Sequence, residues 1–161
     1  MKLHPDDTED DYAIFGKIVL LWSRVEAILI TIIYAMIFEP GGLRQKGIPQ
    51  NFAERIKTAV RGYETLAYYA AIKDEAVEAV KALEPLHEKR TVIVHGLYNG
   101  KTLPGRYVFG LVKWGKSDRG TVHTHTFTRA ELDDLTTAIA EATLRLDLIL
   151  TKTKASRPWP W

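Results

Sequence analysis

The chain of 161 residues contains no cysteine, which excludes a disulfide framework, thiolate catalysis and any zinc site built on sulfur. Its net charge is only +2, too small to mark a general nucleic-acid binder. Long apolar runs are also lacking. The longest uncharged stretch, Ala27 to Phe38, falls short of the roughly 20 residues needed to cross a bilayer. The start, Met1-Lys2-Leu3-His4-Pro5, runs straight into acidic residues rather than into the apolar segment of a secretory signal. There is no internal repeat and no low-complexity block. The expectation is a cytoplasmic chain without a membrane partner, sized for one domain that buries roughly two-thirds of its unfolded surface.

What is present is ordinary in amount, with 46% hydrophobic and 26% charged residues, but uneven in distribution. Residues 1–11 hold five acids against one lysine. Between positions 101 and 129, Lys101, Arg106, Lys113, Lys116, Arg119 and Arg129 face the single acid Asp118. Phosphate-rich ligands respond to such a local excess more than to the total. A solvated basic hairpin is the alternative.

Apolar residues recur at Ile14, Ile18, Leu21, Val25, Ile28, Ile32 and Ala35, a helical seam widened by Phe15, Trp22, Leu29, Ile33 and Met36. Acids at the start of this helix suit its dipole, and Glu39-Pro40-Gly41-Gly42 ends it. Asn51-Phe52-Ala53-Glu54 reads as a capping box for a second helix reaching about Ala71. A third begins near Asp74, and Pro85 should kink or split it. Val80, Leu83, His87, Arg90 and Val94 share one stripe, with Gly96 expected as a left-handed C-cap. Beyond it the period changes. The segments 107–114 and 121–127, rich in β-branched and aromatic residues and separated by Gly115-Lys116-Ser117-Asp118-Arg119-Gly120, predict a β-hairpin over about 106–127. Thr128-Arg129-Ala130-Glu131 is a second capping box, and Leu132, Leu135, Ile139, Ala142, Leu146 and Ile149 mark a final helix. The tail, 156–161, carries two Trp-Pro alternations and is read as flexible.

Chemistry concentrates in Glu88-Lys89-Arg90-Thr91-Val92-Ile93-Val94-His95-Gly96. Arginine is permanently charged and grips phosphate bidentately, while histidine titrates near neutrality. Both are what phosphodiester cleavage requires. Arg90 also stands where the stripe asks for an apolar residue, so it should face a carboxylate, an anion pocket or another subunit.

Arg90-x4-His95, in the string Leu86-His87-Glu88-Lys89-Arg90-Thr91-Val92-Ile93-Val94-His95-Gly96-Leu97, resembles the motif of the HEPN superfamily. Trp22-Ser23-Arg24-Val25-Glu26 looks like a tryptophan-to-glutamate signature of its small bacterial members. The resemblance covers roughly residues 10–150. It implies a mainly α fold: a four-to-five-helix up-down bundle, here a single domain over 1–155, with the β-hairpin inserted before the last helix. It further implies a metal-independent, cofactor-free RNA endonuclease in a toxin or phage-defence setting, with an antitoxin partner and a homodimer whose composite sites hold Arg90 and His95. The alternative is a non-catalytic HEPN-like dimer that binds nucleotide, RNA or a partner protein. Active members often carry asparagine after the arginine; here Thr91 stands there, and its hydroxyl can still donate to a phosphate oxygen.

On the family's model the RNA's own 2′-hydroxyl attacks, His95 assists proton transfer and Arg90 neutralises charge on the phosphorane. Five helical residues span about 7.5 Å of rise and about 140° of rotation, so Arg90 and His95 do not share a face. Fraying before Gly96 or a two-fold partner would bring them together. The bland alternative makes His95 a cap for the last carbonyls and pairs Arg90 with Glu26, Glu84 or Glu88.

Other candidates are weaker. Glu26 is expected as a carboxylate supporting Arg90, and His87 lies one turn earlier on the same stripe. Tyr98 and Asn99, just past the motif, could touch a nucleotide or simply form a turn. His123 and His125 share a strand face as a metal pair would, but no neighbouring acid completes a ligand set, so a surface or stacking role is favoured. No compact helix, short turn and polar recognition helix is found, which argues against a helix-turn-helix regulator.

Overall fold

The opening seam folds as one continuous helix, α1 (Glu9–Phe38). Ile14, Ile18, Val25, Ile28, Ile32 and Ala35 are buried along it, as are Trp22, Leu29, Ile33 and Met36. The computed structural model of the chain describes residues 7–38, 40–102, 105–114 and 119–156. Glu39 of the expected stop, the hairpin turn 115–118 and the tail from 157 lie outside them. Taken whole, α1 is long and apolar enough to cross a membrane by length and composition, with a mean hydropathy of 1.9 over its best window. Helices that form the core of a soluble protein pass the same test.

The second helix, α2 (Phe52–Thr65), is capped by Asn51, whose side chain accepts from the Glu54 N–H at 2.8 Å. Only this half of the expected box forms; the Glu54 carboxylate pairs with Lys57 instead. The helix stops six residues earlier than its periodicity predicts. Leu66 turns extended, and 67–72 wind as a 3₁₀ segment. Continued α-helix would point Tyr63 and Tyr69 apart, whereas the tighter turn packs their rings 5.3 Å apart, with Tyr69 fully buried. Aromatic burial overrides local propensity here.

Pro85 splits the third helix as expected, with the break at Ala82 between α3 (Lys73–Lys81) and α4 (Leu83–His95). That places the proline in the first turn of α4, where its missing N–H costs nothing. The hairpin is present as β2 (Arg106–Trp114) and β3 (Arg119–Phe127), but the sheet has a third antiparallel strand, β1 (Leu97–Thr102), in the order β1-β2-β3. This strand hides in the sequence because Asn99-Gly100 breaks its alternation; Gly100 has φ +88° and the register shifts beside it. The last helix, α5 (Arg129–Ala155), follows a complete capping box: Glu131 accepts from the Thr128 N–H at 2.7 Å and the Thr128 hydroxyl accepts from the Glu131 N–H at 3.2 Å.

The chain divides into two compact units, and both α1 and α5 contribute to each. The first comprises Met1–Trp22 and Leu86–Ile139. Its core is aromatic: Phe15 of α1 meets Tyr98, Tyr107 and Phe109 of the sheet edge-on at 5.4–5.6 Å. The second comprises Ser23–Pro85 and Ala140–Trp161. There Tyr63 of α2 shares a buried 2.7 Å hydrogen bond with Thr153 of α5, and Arg24–Asp147, Arg145–Glu78 and Lys152–Glu75 pair across helices.

Candidate functional site

The first unit holds the Arg-x4-His motif at the C-terminal end of α4. Gly96 closes the helix by donating its N–H to the Val92 carbonyl at 2.8 Å. Contrary to expectation, its φ is not in the left-handed region. Glycine is required for space: a Cβ would collide with the Val92 carbonyl oxygen and stand 3.2 Å from the Phe109 Cβ. The close approach of β2 to the helix end therefore sets where His95 stops.

Within one chain, Arg90 Nη1 lies 3.3 Å from His95 Nε2. Of the two expected routes, fraying or a two-fold partner, this contact uses neither: the helix stays wound to His95 and the long arginine arm spans the roughly 140° of helix rotation. A guanidinium can only donate, so a hydrogen bond here requires the His95 tautomer whose Nε2 accepts. His95 is exposed, and Arg90 is half-buried.

Among the described residues Arg90 packs against an aromatic ring. Its Cζ lies 5.9 Å from the Trp22 ring centroid, and the same indole stacks on His87 at 5.7 Å and 29°. The aromatic face explains why an apolar stripe accepts this cation. Arg90 Nε is buried with no hydrogen-bond partner among the described residues. Glu26 belongs to the second unit and pairs with Arg55 at 3.6 Å, so it takes a different arginine from the one expected.

Tyr98 is occupied structurally. Its hydroxyl donates to Asp7 Oδ1 at 2.7 Å, and its ring packs on Phe15 and Phe109. Burial, then the Asp7 carboxylate, push its pKa above the ordinary phenol value. Asn99 is exposed on β1.

A cluster that sequence reasoning did not find sits at the start of α1. Asp11, 3% exposed, accepts from the Thr8 N–H at 2.8 Å, from the Thr8 hydroxyl, from Lys101 and from the Tyr107 hydroxyl; Arg129 stands at 4.0 Å. Burial alone would raise its pKa, but the bonds from Lys101, Tyr107 and Thr8 outweigh it and hold the carboxyl well below its usual range. The signal in the sequence is the pairing of an acidic N-terminus with a basic 101–129 segment. Lys101 and Arg129 are therefore partly neutralised. Lys116 and the side chains of Lys113 and Arg119 lie outside the described residues.

The strand histidines separate. His123 is exposed on β3, whereas His125 is half-buried with its Nε2 sealed from solvent. His125 and Leu111 of the sheet and His87, Glu88, Thr91 and Val92 of α4 line a cleft of about 360 Å³. Among the described residues no group of three or more His, Asp or Glu side chains is arranged to hold a metal ion. A notch of about 500 Å³ in the second unit is lined by Gln45, Glu54, Lys57 and Arg61, but these are already bonded in pairs, Lys57 to Glu54 and Arg61 to Gln45.

Compared with known proteins, the chain matches no family model, no curated protein and no solved structure.

Proposed function

We propose that the chain is a HEPN-like RNA endonuclease that works without a metal, with Arg90 and His95 as its catalytic residues. The observation that carries this reading is the 3.3 Å approach of Arg90 Nη1 to His95 Nε2 at an exposed helix end. A phosphate arriving there can draw the guanidinium into a bidentate grip. This frees the Nε2 lone pair beside the bound phosphate. The imidazole then takes the proton of the adjacent 2′-hydroxyl as that oxygen bonds to phosphorus. Arg90 offsets charge on the non-bridging oxygens. The bond from phosphorus to the 5′-oxygen breaks, that oxygen takes up a proton from water, and the His95 imidazolium returns its proton to solvent. The products are a 2′,3′-cyclic phosphate and a 5′-hydroxyl.

A second reading, a non-catalytic module that binds nucleotide, RNA or a partner protein, draws on the same contact, since the resting Nε2 lone pair is engaged by Arg90. Incubating the protein with structured RNA in EDTA separates the two. Cleavage by the wild type that disappears in folded Arg90→Ala and His95→Ala variants supports catalysis; RNA binding with no cleavage supports the module. The homodimer and the antitoxin partner belong to the same proposal. Leu144 and Leu148, exposed one turn apart on α5, offer an apolar pair for a second copy, which sedimentation would detect.

A further inference from the structure

The cleft between α4 and the sheet has a chemistry of its own. Its walls are apolar where Val92 and Leu111 face it, yet two polar atoms beside them are buried without a partner among the described residues: Thr91 Oγ1 and His125 Nε2. Leaving such atoms unpaired costs about 1–3 kcal/mol each, so their placement calls for a ligand that bonds to them. Both can donate or accept. The cleft continues into a neighbouring depression of about 300 Å³ that shares Glu88, Val92 and His125 and adds Lys89, Thr126 and Phe127. Lys89 there is exposed, and both it and Arg106 lie within electrostatic reach of Glu131. The groove thus runs from apolar walls with adaptable hydrogen-bonding atoms to an aromatic ring and a rim that holds Lys89 beside Glu88.

We propose that this groove is a nucleotide subsite. The base enters the inner cleft between Val92 and Leu111, with its edge bonded to Thr91 and His125. The sugar and phosphate lead outward past Phe127 toward Lys89. A flat heterocycle with donors and acceptors on its rim matches these walls and polar atoms, and unstacked RNA bases are recognised in this way. A metal ion does not match, because the required ligand set is missing among the described residues. Thr91 follows Arg90 directly, so the subsite would select which phosphodiester reaches the guanidinium. That last role rests on the catalytic reading, whereas nucleotide binding does not. The occupant is either a free mononucleotide or one residue of an RNA.

The probes are the four 5′-mononucleotides and short single-stranded RNAs, titrated into the intact chain while the five histidine ring signals are followed by NMR. The expected result is a shift of His87 and His125, with His123 unmoved, for one base above the others. Thr91→Val and His125→Gln should each weaken that binding about five- to tenfold with the fold retained, since neither polar atom is bonded within the protein. Saturation by mononucleotide alone assigns a free nucleotide, and saturation only by oligomer assigns RNA. Shifts confined to His95, no shifts at millimolar probe, or affinities unchanged in both variants overturn the inference. Cleavage lost in Arg90→Ala but unchanged in rate and base preference in His125→Gln overturns the subsite and leaves the catalytic reading standing. Nucleotide binding at His87 and His125 without any RNA cleavage does the reverse.

Discussion

Arg90 rests its guanidinium over Trp22, 5.9 Å from the ring centroid, on a helix stripe that otherwise calls for apolar side chains. The indole is fully buried, and the half-buried arginine above it keeps part of its charge toward solvent. The pairing therefore anchors the arginine without quenching it. A double-mutant cycle of Trp22→Phe with Arg90→Met should return a coupling of about 0.5–2 kcal/mol in chemical denaturation. A coupling near zero would mean that the arginine is held by something else.

Charge alone is not enough at position 90. A lysine there keeps the positive charge but loses the planar fork that both reaches His95 and grips phosphate. Arg90→Lys is expected to lower RNA cleavage at least about tenfold while leaving the unfolding midpoint nearly unchanged. Removing the imidazole should cost more, about 10²–10⁴-fold in rate for His95→Ala. Equal activity in either variant, measured as cyclic-phosphate product over time, would remove these residues from the chemistry.

The buried Asp11 cluster makes stability depend on pH. Its carboxyl titrates lower in the folded chain than in the unfolded one, where the ordinary value is about 3.9. The unfolded state therefore takes up the proton first as pH falls. The stabilisation is complete above that unfolded value and drains away as pH drops toward the folded one. Asp11→Asn should thus cost about 3 kcal/mol at pH 7, because Lys101 loses its buried partner. By pH 3 the difference from wild type should have shrunk, as read from urea midpoints at both pH values.

Gly96→Ala tests the packing that ends α4. With no left-handed strain to relieve, the added methyl can only push against the Val92 carbonyl and Phe109. A loss of about 1–3 kcal/mol is expected, together with a shifted His95 ring signal. A neutral substitution would show that β2 yields easily to the helix end.

In the second unit, Thr153→Val keeps the shape of the side chain but orphans the Tyr63 hydroxyl, which is buried and whose pKa burial already raises. About 1–3 kcal/mol should be lost in thermal or chemical unfolding. A change under about 0.5 kcal/mol would indicate that the phenol finds another partner.

By itself the sequence determined the long helices, the split near Pro85, the β2–β3 hairpin and both N-caps, because periodicity, proline geometry and capping chemistry act over a few neighbouring residues. It also singled out Arg90 and His95, since their side-chain chemistry is legible without coordinates. Only tertiary structure decided what those groups face. The indole under Arg90, the closure of the Arg90–His95 gap inside one chain, the seating of Asp11 among Lys101, Tyr107 and Thr8, and the sealing of His125 in a cleft with Thr91 mostly join segments distant along the chain. Burial of Tyr69 against Tyr63 likewise shortened α2, and strand β1 formed across an Asn-Gly break. Most of these depend on desolvation and long-range packing, which local propensities do not encode.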